Sequence, residues 1–216
     1  MALRCFFDVS SGDDAEIPLA ELGFKWYGTL HPERSLPTTS IETVWKEVWF
    51  AKGSDQVRMD AALRRFEKLW ETLLGEFRRG TWAPSGIVET AAAIVLFDQV
   101  PRNIFRGTPR AYASDDAGYH LARAVYESPT FAGLPVHLQY TVIIALVHSE
   151  KIDDQDCVTR FASSLPQTLI GDRFRAIASN HRDRIALFGR FPERNVILGR
   201  ESTGAELAYM SSIVSN

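Results

Sequence analysis

The side chains best equipped to hold a ligand in this sequence are Arg102, Asn103 and Arg106, in FDQVPRNIFRG, and Arg190, Arg194 and Asn195, in FGRFPERN. A guanidinium group is a rigid fork of N–H donors that matches carboxylate or phosphate oxygens two at a time. The two segments brought together would clamp a small anion, with Asn103 and Asn195 shaping the loops. They also echo one another: in each, a phenylalanine precedes a proline by four positions, and an Arg-Asn pair and a β-branched residue follow. The same residues have a purely structural use. They can bond the open carbonyls at the ends of their helices and pair with Asp98 or Glu193. Sequence alone leaves both uses open.

Acid–base chemistry has fewer candidates. His148, closing the apolar run Val142 to Val147, titrates near neutrality, and Glu150 two residues on can orient it. Its structural alternative is a histidine at a helix C-terminus. His181 falls on the apolar stripe of its helix, where a histidine is usually a satisfied core residue, yet that helix runs straight into Arg190 and Arg194. Asp98 is the remaining partner for either imidazole. Asp98, His148, Glu150 and His181 are also ligand types for a metal, but helical di-metal sites carry Glu-x-x-His pairs and none occurs here. No metal and no cofactor is therefore expected. Neither a Walker A loop, a dinucleotide-binding fingerprint nor a Gly-x-Ser-x-Gly elbow is present.

Helices must position these groups. Val57, Phe66, Leu69, Trp70, Leu73, Leu74 and Phe77 recur at three- and four-residue steps and predict one long amphipathic helix, punctuated by Gly80 and Pro84. Ser85 caps the next, whose run Ala91 to Phe97 is apolar on every side and is expected to end at the FDQVPRNIFRG segment. Further helices are read over 114–127, from Pro135 through VHLQYTVIIALV, over 153–165, and along GDRFRAIASNHRDRIALFGR up to Gly189. Thr39 with Glu42, and Thr203 with Glu206, form capping-box pairs. The reading is all-α, with about eight helices in antiparallel hairpins. Residues 1–38 are expected to be an irregular segment packed on the core, and 39–216 a single helical domain.

The chain has 216 residues, 45% of them hydrophobic, and a formal net charge of -3. Its charges are interspersed, so no nucleic-acid footprint is visible. No apolar run is long enough to span a bilayer, and two cysteines make no disulfide framework. A soluble, cytoplasmic protein is expected.

The pieces WF at Trp49-Phe50, FDQVPRNIFRGTPRAYASD at Phe97 to Asp115, HSE at His148 to Glu150 and FGRFPERNVILGREST at Phe188 to Thr203 are similar, in order and spacing, to a mainly bacterial family known as domain of unknown function nine hundred and twenty-four. FKWYG at Phe24 to Gly28 is a looser counterpart of that family's opening segment. The resemblance implies a tetratricopeptide-like helical fold and carries no activity with it. Two functions remain: a pocket for a small anionic ligand, with His148, Glu150, Asp98 or His181 as acid or base, and a helical scaffold for a peptide or protein partner.

Overall fold

The computed structural model describes residues 52–214, together with Leu19, Leu22, Trp26, Glu42, Thr43, Val44 and Lys46. Apart from those positions, the expected segment 1–38, Thr39 and Trp49-Phe50 lie outside the described residues. Among the described residues there is no strand. Between residues 54 and 214 eight helices follow one another: α1 (Ser54–Leu63), α2 (Glu67–Arg79), α3 (residues 86–104), α4 (Asp115–Glu127), α5 (Val136–Val147), α6 (Ile152–Ser164), α7 (Leu169–Phe188) and α8 (Gly204–Val214). The architecture is all-α and tetratricopeptide-like, and the chain forms two compact units: residues 1–106 with 110–145, and residues 107–109 with 146–216.

In the first unit the predicted long helix is two, α1 and α2, joined by a 3₁₀ turn at Arg64–Phe66. From Phe66 on the predicted stripe faces inward, with Phe66, Trp70 and Leu74 buried and Leu69, Leu73 and Phe77 packed against the core; in α1 the inward residues are Met59 and Leu63, whereas Val57 is exposed. Helix α2 ends in the left-handed Gly80, as read from the sequence. The central helix α3 is buried all round from Ala91 to Phe97. The helix ends inside FDQVPRNIFRG, as read from the sequence, but only at Ile104, well past the proline. The chain passes from α-helical Gly86–Ile94 through a π turn at Val95–Gln99 into α-helical Val100–Ile104.

The reason lies at Pro101. Proline has no N–H, so in a regular helix the carbonyl four residues back, that of Phe97, would lose its donor and meet the ring. The π turn widens the spiral, with Val100 N–H reaching the Val95 carbonyl. Ser114 then supplies a donor, its hydroxyl lying 2.5 Å from the Phe97 carbonyl oxygen. That hydroxyl in turn accepts from Trp70 Nε1 at 2.8 Å, and Ser114 is fully buried. Ser114 occupies the N-cap position of α4 but makes no side-chain cap there.

In the second unit α6 and α7 pack as an antiparallel hairpin. Arg182 Nε donates to Asp156 at one level, and Arg175 Nη1 to the Ala162 and Leu165 carbonyls near the other end. The apolar stripe of α7 is as predicted, with Phe174, Ala178 and Ile185 buried and Gly189 closing the helix in the left-handed region. Buried Gln155 donates to the carbonyls of Val147 and Ser149, which closes the end of α5.

Ser114→Ala leaves both Trp70 Nε1 and the Phe97 carbonyl without that hydroxyl inside a dry core, at an expected cost of about 2 kcal/mol or more. Denaturant unfolding measures this; a loss below about 0.5 kcal/mol would mean that water replaces the hydroxyl and the triad is dispensable.

Candidate functional site

The two echoed segments lie in different units and are described in turn. In the first unit Arg102 is sandwiched between carboxylates: Nη2 lies 3.3 Å from Asp98 and 2.8 Å from Asp115, and the guanidinium carbon sits 5.1 Å from the Tyr112 ring centre. Burial alone would lower the pKa of Arg102, but Asp98 and Asp115 hold it above its ordinary value. Asn103 Nδ2 donates to the Gln99 carbonyl at 2.7 Å. Arg106 is half-exposed and pairs with Asp60 on α1 at 3.1 Å, while also donating to Asn103. Arg64 Nη2 donates to the last carbonyl of α3, Ile104, at 2.9 Å. All three predicted ligand-binding residues here are thus bonded within the protein, and Asp98 pairs with Arg102.

The second unit gathers His148, Glu150, His181, Arg190, Arg194 and Asn195 around Phe191. Glu150 accepts from Phe191 N–H at 2.9 Å and is gripped by both terminal nitrogens of Arg200, at 2.7 and 3.0 Å. Burial pushes its pKa up, but Arg200, the Phe191 N–H and Arg194 outweigh that and hold it below the usual carboxylate range. Arg194 is buried, stacks 4.4 Å from the Phe191 ring centre and donates to the His148 carbonyl at 3.0 Å.

Glu206 is a hub. It accepts from Arg190 Nε and Nη2 at 2.6 and 2.8 Å, from Asn195 Nδ2 at 3.3 Å and from Thr203 N–H at 2.7 Å. The Arg190 hydrogen bonds, followed by that of Thr203, pull its pKa down to about 2. Glu206 N–H donates to the Thr203 hydroxyl, so the predicted capping box is complete in both directions.

His181 stands at the centre of this unit. Its ring packs edge-on to Phe191 at 5.2 Å between centres. Nδ1 lies 2.9 Å from the Ile177 carbonyl and 3.1 Å from Arg184 Nη2. It cannot donate to the first while accepting from the second. With the proton on Nδ1, the Ile177 carbonyl accepts it and Nε2 carries the lone pair; with the proton on Nε2, Nδ1 accepts from Arg184 Nη2 instead. Nε2 makes no hydrogen bond to a described residue. Burial, then Arg184, His148 and Arg194 lower the pKa of His181 to about 3, against only the Ile177 carbonyl. It is a neutral imidazole close to Arg184 and Arg194. Among the described residues, no group of three histidines, cysteines or carboxylates is placed to hold a metal.

The echo extends into the backbone. Five residues after each Arg of the pair, Gly107 and Gly199 both adopt positive φ, 78° and 65°, a conformation other residues enter at a cost. Each arginine also stacks on a ring. The copies differ in their β-branched residue: Ile104 is buried, whereas Val196 is 88% exposed.

Sequence reading missed Arg184 and Arg200. Arg184 could have been found three residues after His181, on a neighbouring turn of the same helix. Arg200 immediately follows the echoed glycine, but its partner Glu150 is fifty residues away and no local pattern joins them.

Because the unfolded chain binds a proton at His181 near pH 6.5 and the folded chain only near pH 3, stability falls as pH drops through that window. The depressed carboxylates contribute only below about 4.5. His181→Gln is expected to flatten the stability–pH curve between pH 6.5 and 4.5. Equal slopes for the two proteins would show that His181 titrates normally.

A family model described as "Bacterial protein of unknown function (DUF924)" matches residues 25–213. A solved structure of a protein of unknown function from Agrobacterium tumefaciens is similar at 26% identity and a TM-score of 0.57, covering 76% of this chain and 88% of that one. No curated protein gives a significant match.

Proposed function

We propose, for a chain that belongs to the bacterial DUF924 family, that its second unit binds a small anion beside His181 and passes a proton to Nε2 of that imidazole. The observation that carries this reading is the surroundings of His181: Arg184, His148 and Arg194 all act on it with the same sign. The positive potential of the arginines favours an anion next to the imidazole, whereas burial, the largest cause of the lowered pKa, opposes any added charge. The anion offsets that potential and lets Nε2 accept a proton, so binding and protonation reinforce one another. Arg190 and Asn195 shape the site through Glu206, and Glu150 through Arg200. Acid–base catalysis at His181, with His148 beside it, is the chemistry such a site offers.

The reading of Arg102, Asn103 and Arg106 as a second arm of the clamp has less support, since Arg102 pairs with two carboxylates, Asp98 and Asp115, Arg106 pairs with Asp60, and Asn103 donates to the Gln99 carbonyl. That observation favours the second reading, a helical scaffold for a peptide or protein partner, in which the echoed segments only fasten helix ends. No helix of the described residues is long and apolar enough to cross a membrane. The buried thiol of Cys157, engaged in no disulfide, suits the reducing cytoplasm in which we place the protein.

Sulfate, whose charge is fixed near neutrality, is the probe. At ~100 times its dissociation constant it adds about 2.7 kcal/mol, a readable melting shift. Wild type is expected to gain more at pH 6 than at pH 8, and His181→Gln to lose that difference. If sulfate leaves the wild-type melting point unchanged at both pH values, the anion site is wrong and the scaffold reading takes its place.

A further inference from the structure

One imidazole nitrogen of the second unit has two claimants. His181 Nδ1 lies 2.9 Å from the Ile177 carbonyl oxygen and 3.1 Å from Arg184 Nη2. Only a protonated Nδ1 can donate to the carbonyl, and only a bare one can accept from the guanidinium. A neutral imidazole carries one proton, so the choice decides what the far nitrogen can do. With the proton on Nδ1, Nε2 is a base; with the proton on Nε2, that atom is a donor. The carbonyl sets no strong preference, because Ile177 lies inside α7 and already accepts the helical bond of residue 181. The guanidinium does, since a charge-assisted hydrogen bond is roughly twice as strong as a neutral one. Acting alone, Arg184 would hold the lone pair on Nδ1.

Arg184 does not act alone. Its Nη1 donates to Glu193 Oε1 at 2.5 Å and its Nε to the Asn180 carbonyl at 3.1 Å. The guanidinium carbon sits 5.4 Å from the Phe191 ring centre, the same ring that meets His181 edge-on. Glu193 follows Phe191 by two residues, in the 3₁₀ turn Pro192–Arg194, so one short stretch of chain places both the ring and the carboxylate against Arg184. This carboxylate is used differently from its neighbours. Glu150 and Glu206 have both oxygens bonded. Glu193 Oε2 is buried and accepts from no described residue. Among the described residues, Arg184 is the group whose charge Glu193 compensates.

We propose that Glu193 is a positioning residue that keeps the proton of His181 on Nδ1, by compensating the charge of Arg184 and so weakening its claim on the Nδ1 lone pair. This rests on the proton transfer proposed above, in which Nε2 has to carry a lone pair. With Arg184 compensated, Nδ1–H donates to the Ile177 carbonyl, the shorter of the two contacts. Without the carboxylate charge, Arg184 takes the Nδ1 lone pair and the ring proton moves to Nε2, where it blocks the base. The ring gains and loses no proton in that exchange; water carries it from one nitrogen to the other.

The test is nitrogen-15 NMR of the His181 ring in the full chain near neutral pH, which distinguishes protonated from bare ring nitrogens. Wild type is expected to show a protonated Nδ1 and a bare Nε2. Glu193→Gln keeps the shape and an acceptor oxygen for Arg184 but removes the charge; it should exchange the two signatures, and Glu193→Asp should restore them. Combining Glu193→Gln with Arg184→Met removes the cation as well, and Nδ1 should again carry the proton. A residue that only held the loop together would not be rescued by deleting its partner. A wild-type ring protonated on Nε2, a Glu193→Gln ring with an unchanged tautomer, or a double variant still protonated on Nε2 overturns the inference. The sulfate melting shift, read alongside, separates the two proposals: its absence in wild type removes the anion site, whereas an unchanged tautomer with the shift intact removes only the role of Glu193.

Discussion

A single hydroxyl group decides whether the centre of the first unit can exist as it does. The most buried helix of the described residues carries a proline, and the carbonyl that proline leaves behind faces a core where water has no place. Ser114 meets it, and by spending its oxygen lone pair on Trp70 it also satisfies the indole N–H of α2. Three helices, α2, α3 and the start of α4, are thereby tied by two hydrogen bonds through one small residue. The Arg102 pair with Asp98 and Asp115 lies on the adjoining turn of α3 and inherits its orientation from this junction.

Charge in the protein is organised by the same economy. Arginines close helix ends, and each carries its own compensation: an aspartate or glutamate in the plane of the fork, an aromatic ring beneath it, or both. Arg102 has both, and Arg194 has the ring of Phe191. In the second unit one imidazole sits among these arginines. Burial and neighbouring cations act together on His181, while the carboxylates of Glu150, Glu193 and Glu206 are each engaged with an arginine.

Much of the fold is legible in the amino-acid sequence itself. Stripes at three- and four-residue steps locate α2 and α7, Gly80 and Gly189 mark their ends, and Thr203 with Glu206 announces the start of α8, because these are short-range signals written into adjacent turns. The structural use of the arginines is visible as one of two alternatives for the same reason. The π turn is not legible: a proline inside an apolar run reads as an ending, and its rescue depends on Ser114, seventeen residues beyond Phe97. Nor is the Glu150–Arg200 grip, or the neutral state of His181, since both come from residues joined only in three dimensions.

The π turn has a consequence for helix phase. A five-residue hydrogen-bonded step holds one residue more than an α-helical one, so Val95–Gln99 amounts to a single-residue insertion absorbed without breaking the helix. Forcing the same residues into a regular spiral would turn everything after them by about 100°. Arg102 would swing out from between its two aspartates, and Ile104 would leave the core for the surface. The segment stays in register with α4 because the wide turn absorbs its extra residue.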